Sequence, residues 1–511
     1  MTSAAGMLRS SVWIWAAYGI TALSGLLLSP FVVGKLGATG YGVWVLIGSM
    51  VGYLGLLDLG VRGAIARFVA AHFSVDDHAG ASAKVAGALR LFGALGSLAF
   101  LFSLLLAGVV DSLFDIPPGL SGVAQTIIVL GGASVAASFF GGVFGGVLAG
   151  LQRFDLDSAL EIGLTLLRVV LVVAALSAGL GLVSLAVIQL GIVLLRGSIS
   201  YRLCRSLYPA LRLRSEGSPG AAIRSLLAFS LVSSVMHVSG QVIYYTDALV
   251  IGALLPLPMI TFYAIAANLA DYARQIAAAV ARIVTPKVSS EQARHGLTAA
   301  REVAMNSARW VGFVTIPIAM TFVLRGERFI GLWMGSDFSA LSGQVLTVLA
   351  VTVWISGGHF VSVSALMGTN QHRGLAGGFA LQAAANLALS LTLVGPLGLV
   401  GVAIGTVVPA LVLNLGFIPW YLHRMMGLAP MDFISNAWLR PTIVAAPFAL
   451  ATAVAERLWV PGSLVSFLVQ TAALLPILGV TVFYGGLRSP ERERLRAVAG
   501  FSGREARQPS S

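Results

Sequence analysis

Runs of about 20 apolar residues, each long enough as a helix to cross about 30 Å of hydrocarbon, recur along nearly the whole of this 511-residue chain. Inside a bilayer no water satisfies backbone N–H and C=O groups, so each run must bond to itself as a helix. The expected fold class is therefore an all-α polytopic membrane protein. Read between charged, Gly and Pro interruptions, the runs fall at 12–33, 40–70, 89–110, 123–150, 159–178, 182–203, 225–251, 259–283, 310–324, 342–367, 375–394, 399–421, 438–455 and 464–484, or about fourteen transmembrane helices. The first run is too long for a signal-peptide core and has no small-residue cleavage site behind it, so it is expected to stay as the first helix.

Only 10% of residues are charged and 57% are hydrophobic, which excludes a soluble catalytic or nucleotide-binding domain of any size. The net charge of +12 is then a property of loops at a membrane surface, not of a nucleic-acid binder. A single cysteine, Cys204, permits neither an internal disulfide nor a cysteine metal cluster. With the fourteen runs in place, 24 basic residues fall on the side of the N-terminus and 4 on the other. Positive residues are retained in the cytoplasm, so both termini are expected there, in the inner (plasma) membrane of a cell.

The expected domains are an N-terminal six-helix bundle at 1–203, a cytoplasmic linker at 204–224, a C-terminal six-helix bundle at 225–421, two additional helices at 422–484 and a basic cytoplasmic tail at 485–511. A weak internal repeat supports the division: the turn beginning at Pro30 resembles that beginning at Asp247, with Gly34 aligning with Gly252. The stretches 205–224 and 285–309 read as the largest loops, both basic and cytoplasmic. No phosphate loop Gly-x-x-x-x-Gly-Lys-Ser/Thr and no His-Glu-x-x-His occurs, and the outward loops are too short to hold a glycan acceptor. An enzyme is not expected, nor any cofactor or metal.

A charge at bilayer depth costs at least about 2.5–3.5 kcal/mol, so a buried ion suggests a cavity, a partner or a pathway. Asp271 and Arg274 lie about 18 and 22 Å into the 259–283 run, near the midplane, three residues apart on one face. They form either a self-neutralising structural pair or part of a water-filled cavity, and Asn268 and Gln275 continue their polar surface at helical spacing. In the 225–251 run Ser230, Ser234, His237, Gln241 and Tyr244 or Tyr245 recur at intervals of three and four, giving one polar face. Asp247, about 33 Å along that run, lies near its outer boundary, where an interfacial role is at least as good a reading as a cavity one. Arg168 faces the same side as Glu161; for it and for Arg196 a structural ion pair and a cavity role both stand open. Asp58 and Arg62, four apart at the cytoplasmic end of the 40–70 run, read as snorkelling residues or a cytoplasmic gate. Asn386, with His359 and Gln382, adds a further cavity candidate. Gly141, Gly142, Gly145, Gly146 and Gly150 make overlapping small-residue steps, a signal of close helix packing.

Several motifs share an order and spacing that carry a family likeness: Gly-Tyr-Gly-Val-Trp at 40–44, the Gly-bounded Gly-Tyr-Leu-Gly-Leu-Leu-Asp-Leu-Gly at 52–60, Gly-Leu-Gln-Arg-Phe at 150–154, the run 247–286 and Pro-Leu-Gly-Leu-Val-Gly at 396–401. Over about the first 420 residues the chain resembles the polysaccharide transporter branch of the multidrug/oligosaccharidyl-lipid/polysaccharide exporter superfamily, which also contains multidrug-and-toxin extruders and the lipid II flippase. The resemblance implies two six-helix bundles around a central cavity lined mainly by the first, second, seventh and eighth helices. It implies a flippase for a lipid-linked oligosaccharide, with lipid bilayer, polysaccharide polymerase and export machinery as surroundings. The lipid II flippase carries arginines in its first helix, whereas 12–33 has no charge; this favours another undecaprenyl-diphosphate-linked glycan. Arg274 is then expected to hold the diphosphate through its planar fork, kept oriented by Asp271. A cation-coupled drug or metabolite exporter of the same superfamily and an intramembrane glycan polymerase or ligase are the alternatives.

Overall fold

The computed structural model describes residues 4–58, 60–213 and 219–498. Residues 214–218 of the expected linker and 499–511 of the expected tail lie outside the described residues, as does the side chain of Ser230. Every regular element among the described residues is helical: α1 (Ala4–Leu54), α2 (Val61–Phe73), α3 (His78–Leu113), α4 (Pro118–Gly150), α5 (Phe154–Ser177), α6 (Gly181–Leu207), α7 (Pro219–Leu254), α8 (Pro258–Met334), α9 (Ser336–Gly368), α10 (Leu375–Leu411), α11 (Ile418–Met426), α12 (Pro430–Ile434), α13 (Arg440–Leu458), α14 (Leu464–Thr481) and α15 (Ser489–Val498), with short 3-10 and π turns between some of them. Ten helices among the described residues are long and apolar enough to cross a membrane. This is a multi-pass membrane protein.

Glycine sets the breaks inside the longest helices. Gly37 in α1, Gly296 in α8 and Gly398 in α10 take positive φ of 70°, 80° and 56°, a conformation side chains with a Cβ resist. Gly37 and Gly398 fall between runs that the sequence had separated. Two expectations need correction. The 40–70 run is not one helix: a 3-10 turn at Gly55–Asp58 and the left-handed Gly60 interrupt it before α2. The stretch 285–309 is not a loop but continuous helix on either side of Gly296, a polar sequence whose helicity does not depend on apolar length.

The residues form two compact units, residues 1–275 with 340–349 and 372–413, and residues 276–339 with 350–371 and 414–511. In the first, the glycine stripe of α4 works as close packing demands. A Cβ on Gly141 would come 3.0 Å from the Gly197 backbone of α6, and one on Gly150 2.8 Å from the Ala66 carbonyl of α2. A core of Val61, Ile65, Val69, Phe92, Phe139 and Val147 fills the space that this approach encloses. The turn before α3 is capped by Asp77, whose carboxylate accepts from the Gly80 N–H at 2.8 Å and meets His72 Nδ1 at 2.8 Å; these bonds hold it below the usual carboxylate range.

In the second unit, Arg325 of α8 is completely buried between Glu456 of α13, 2.6 Å away, and Gln470 of α14, with the Phe467 ring 4.3 Å from its guanidinium carbon. Arg328 reaches the other oxygen of Glu456 at 3.0 Å. At another position on α8, Arg309 pairs with Glu491 of α15 at 2.5 Å. Trp438 is buried, and Gly358 of α9 makes room for its ring, since a Cβ there would come within 2.3 Å.

Candidate functional site

Apart from His359 of α9, which belongs to the second unit, the in-membrane polar residues singled out from the sequence lie in the first unit, on α2, α5, α6, α7, α8 and α10 and the turn before α2. Helical spacing brings Asp271 and Arg274 together as expected: Arg274 Nη2 donates to Asp271 at 2.9 Å, and Gln275 Nε2 donates to its other oxygen at 2.8 Å. Both carboxylate oxygens are thus occupied while the two charged side chains keep 24% and 28% of their surface exposed. Asn268, one turn earlier, points its amide at the Tyr41 hydroxyl, 3.5 Å away.

On α7, Gln241 hydrogen-bonds Tyr245, and the Tyr245 ring stands edge-on to Tyr244 at 5.1 Å and tilted to Tyr53 of α1 at 5.8 Å. Two glycines of α1 admit Tyr245 of α7 and Tyr272 of α8. A Cβ on Gly52 would fall 2.2 Å from the Tyr245 ring, and one on Gly25 2.2 Å from the Tyr272 hydroxyl. Tyr53 also bonds Thr246 at 2.6 Å. His237 and Tyr244 lie exposed on α7 and Ser234 is buried.

Four arginines meet different fates. Arg62 pairs with Asp58 at 2.8 Å and donates to the Ser138 carbonyl at 3.2 Å, and its guanidinium lies against Gly142, where a Cβ would make it shift. Arg196 is held by both Asp157, at 2.8 Å, and Glu161, so Glu161 is a partner of Arg196 across the α5–α6 interface. Arg274 has Asp271. Arg168 makes no ion pair among the described residues, and its Nε is buried without a hydrogen-bond partner.

Two cavities run through this region. One of about 350 Å³ is lined by Trp44, Ser134, Ser138, Gln189, Gln241 and Tyr245, among others. Another of about 220 Å³ is lined by Ser29, Tyr41, Trp44, Arg168 and Gln189 with aliphatic neighbours. Trp44 and Gln189 line both. A further cavity, of about 490 Å³, is apolar apart from Tyr53. Gln189 had not stood out in the sequence, because a lone amide in an apolar helix carries no spacing signal, and Tyr41 and Trp44 had appeared there only within the Gly-Tyr-Gly-Val-Trp motif, not as cavity residues.

Asp247 is buried, 6% exposed. Tyr263 donates to it at 2.5 Å and Thr406 at 2.9 Å, while Asn386, fully buried, donates to Thr406 at 2.9 Å. No arginine or lysine pairs with Asp247 among the described residues, and Oδ1 of Asp247 and of Asn386 are buried without partners. A buried anion without a counter-charge is costly, and this group of oxygens offers a place for a proton or a small monovalent cation. The sequence could not show it, since α7, α8 and α10 supply one residue or two each.

The fold comes first, and it is shared with solved structures. The chain is similar to the lipid II flippase MurJ in an inward closed conformation, with a TM-score of 0.73 at 12% identity over 93% of this chain and 99% of that one. It is also similar to an inward-facing multidrug resistance MATE family transporter, with a TM-score of 0.68 at 15% identity over 81% of this chain and 98% of that one. Residues 94–343 match the model of the family described as polysaccharide biosynthesis protein, which agrees with the resemblance read from the glycine and aromatic motifs. Relatives are the uncharacterized membrane protein EpsK of Bacillus subtilis, 24% identical over 80% of this chain and 81% of its own length, and a putative O-antigen transporter of Shigella flexneri, 22% identical over 82% and 98%. A probable low-salt glycan biosynthesis flippase of Haloferax volcanii, Agl15, is 25% identical over 36% of this chain and 39% of its own.

Proposed function

We propose that this protein is a flippase that carries a lipid-linked oligosaccharide of the undecaprenyl-diphosphate type from the inner to the outer leaflet by alternating access, for surface polysaccharide or exopolysaccharide biosynthesis. The observation that supports it best is the pair of neighbouring cavities in an otherwise apolar bundle, lined by hydroxyls, amides and the rings of Tyr41, Trp44 and Tyr245. Sugars are bound by such a mixture: amides and hydroxyls exchange hydrogen bonds with ring hydroxyls, and aromatic faces cover the apolar C–H side of a pyranose. The names of the Shigella and Haloferax relatives, an O-antigen transporter and a glycan flippase, point the same way. The reaction is transport and not bond chemistry.

In this reading Asn268, Asp271, Arg274 and Gln275 with His237, Gln241, Tyr244 and Tyr245 border the path of the glycan head. Asp58 and Arg62 form the cytoplasmic gate, and Asp247 with Asn386 and Thr406 takes up the coupling ion. The chain crosses the inner membrane fourteen times with both termini cytoplasmic. Residues 1–203 and 225–421 act as the two moving bundles joined by 204–224, and 422–484 are two added crossings before the 485–511 tail. Deleting the gene tests the reading: undecaprenyl-linked glycan accumulates on the inner leaflet and surface polysaccharide disappears. A cation-coupled drug exporter is the second reading, favoured by the MATE-like fold and the lone Asp247; normal surface glycan with altered drug tolerance would decide for it.

A further inference from the structure

We infer that Arg168 forms an oxyanion subsite in the 220 Å³ cavity between α1, α5 and α6, where it binds the phosphate linkage of the transported glycan while the first sugars occupy the adjoining cavity. The inference rests on the flippase reading and deepens it by assigning the substrate's charged group to one residue.

The argument begins with charge. Arg62, Arg196 and Arg274 each already hold a carboxylate. Arg168 holds none among the described residues, and its Nε is buried and unbonded. It sits about 21 Å along α5 from Phe154, well inside the depth at which an uncompensated charge is expensive. A chain that keeps such a cation without a protein partner has an anion arriving from elsewhere. The surroundings fit one. Ser29, Tyr41 and Gln189 supply polar contacts beside Arg168, and Trp44 and Gln189 form the shared wall with the larger cavity holding Ser134, Ser138, Gln241 and Tyr245. The smaller space suits an oxyanion and the larger one a sugar ring. The planar guanidinium fork matches two oxygens of a phosphate. The same fork would take the carboxylate of an acidic sugar, so the shared chemistry is an oxyanion flanked by sugar.

The test uses the purified full-length protein in lipid nanodiscs, titrated with farnesyl diphosphate, farnesol and D-glucuronate as probes, comparing wild type, Arg168→Lys and Arg168→Gln. Farnesyl diphosphate is expected to bind wild type and raise its unfolding temperature. Arg168→Gln should weaken that binding by about tenfold or more, with Arg168→Lys between them, as loss of a charge-assisted contact requires. Farnesol should bind all three alike. Unliganded Arg168→Gln should be at least as heat-stable and as abundant as wild type, because it removes an unpaired charge and leaves no partner stranded. Arg168-dependent binding of D-glucuronate without any of farnesyl diphosphate keeps the subsite and moves its ligand to an acidic sugar. Binding of both anions independent of Arg168, or a large loss of stability in unliganded Arg168→Gln, overturns the inference. The two readings fail separately: unchanged binding in Arg168→Gln beside lost surface glycan on gene deletion refutes only the subsite, whereas Arg168-dependent binding beside normal surface glycan refutes only the flippase.

Discussion

Arg274 and Asp271 stand three residues apart on one helix, and their 2.9 Å contact is the kind of pairing a sequence can disclose, because both partners are local. Breaking a fully buried pair costs about 3–5 kcal/mol; with about a quarter of each side chain exposed, the cost here is smaller. Arg274→Lys keeps the charge that pairs with Asp271 and is therefore expected to reach the membrane at normal abundance and to export within about threefold of wild type, the phosphate being held by Arg168. A loss of export of about tenfold or more in Arg274→Lys at normal abundance would move phosphate recognition from Arg168 to Arg274. Full export in an Asp271→Asn, Arg274→Gln double variant would reduce the pair to packing. Asp247 yields a second expectation: Asp247→Asn keeps the shape and hydrogen-bonding reach of the side chain but removes its charge. Abundance should hold while glycan export loses its response to the ion gradient, and a gradient response equal to wild type would exclude Asp247 from coupling. Residues whose partners come from distant segments were harder to read. Glu161 looked like a companion of Arg168 on the same helix face, yet it binds Arg196, and only the fold reveals which arginine is left over.

At the level of elements, the breaks at Gly37 and Gly398 were legible because glycine between apolar runs punctuates helices. The helical character of 285–309 was not, since a polar helix outside the hydrocarbon has no apolar run to announce it. The attachment of α13 and α14 to α8 was equally hidden, as it depends on Arg325, Glu456 and Gln470 meeting from three helices. With Arg325 fully buried, Glu456→Ala should destabilise the detergent-solubilised protein by about 3–5 kcal/mol through the stranded cation, read as a lowered unfolding temperature. Replacing both members together, Arg325→Met with Glu456→Leu, should recover most of that loss. A double variant no more stable than Glu456→Ala would show that the pair itself, and not the burial of an unpartnered charge, sets the stability.

For the whole molecule, composition and the recurring apolar runs carried the all-helical membrane fold class, and the glycine and aromatic motifs carried the resemblance to polysaccharide biosynthesis proteins. The crossing count is tested by reporters fused after Arg212 and after Ser339, which should report opposite sides of the membrane; the same side for both would refute fourteen crossings with cytoplasmic ends. The central claim is translocation of a lipid-linked glycan, and its most direct measurement is reconstitution. Vesicles containing the purified protein and a polyprenyl-diphosphate-linked oligosaccharide in one leaflet are sampled with a membrane-impermeant lectin for arrival of glycan in the other. Glycan transfer that depends on the protein and slows in Arg168→Gln is the predicted result. No protein-dependent transfer of glycan, in vesicles that do accumulate an organic cation, would contradict the account.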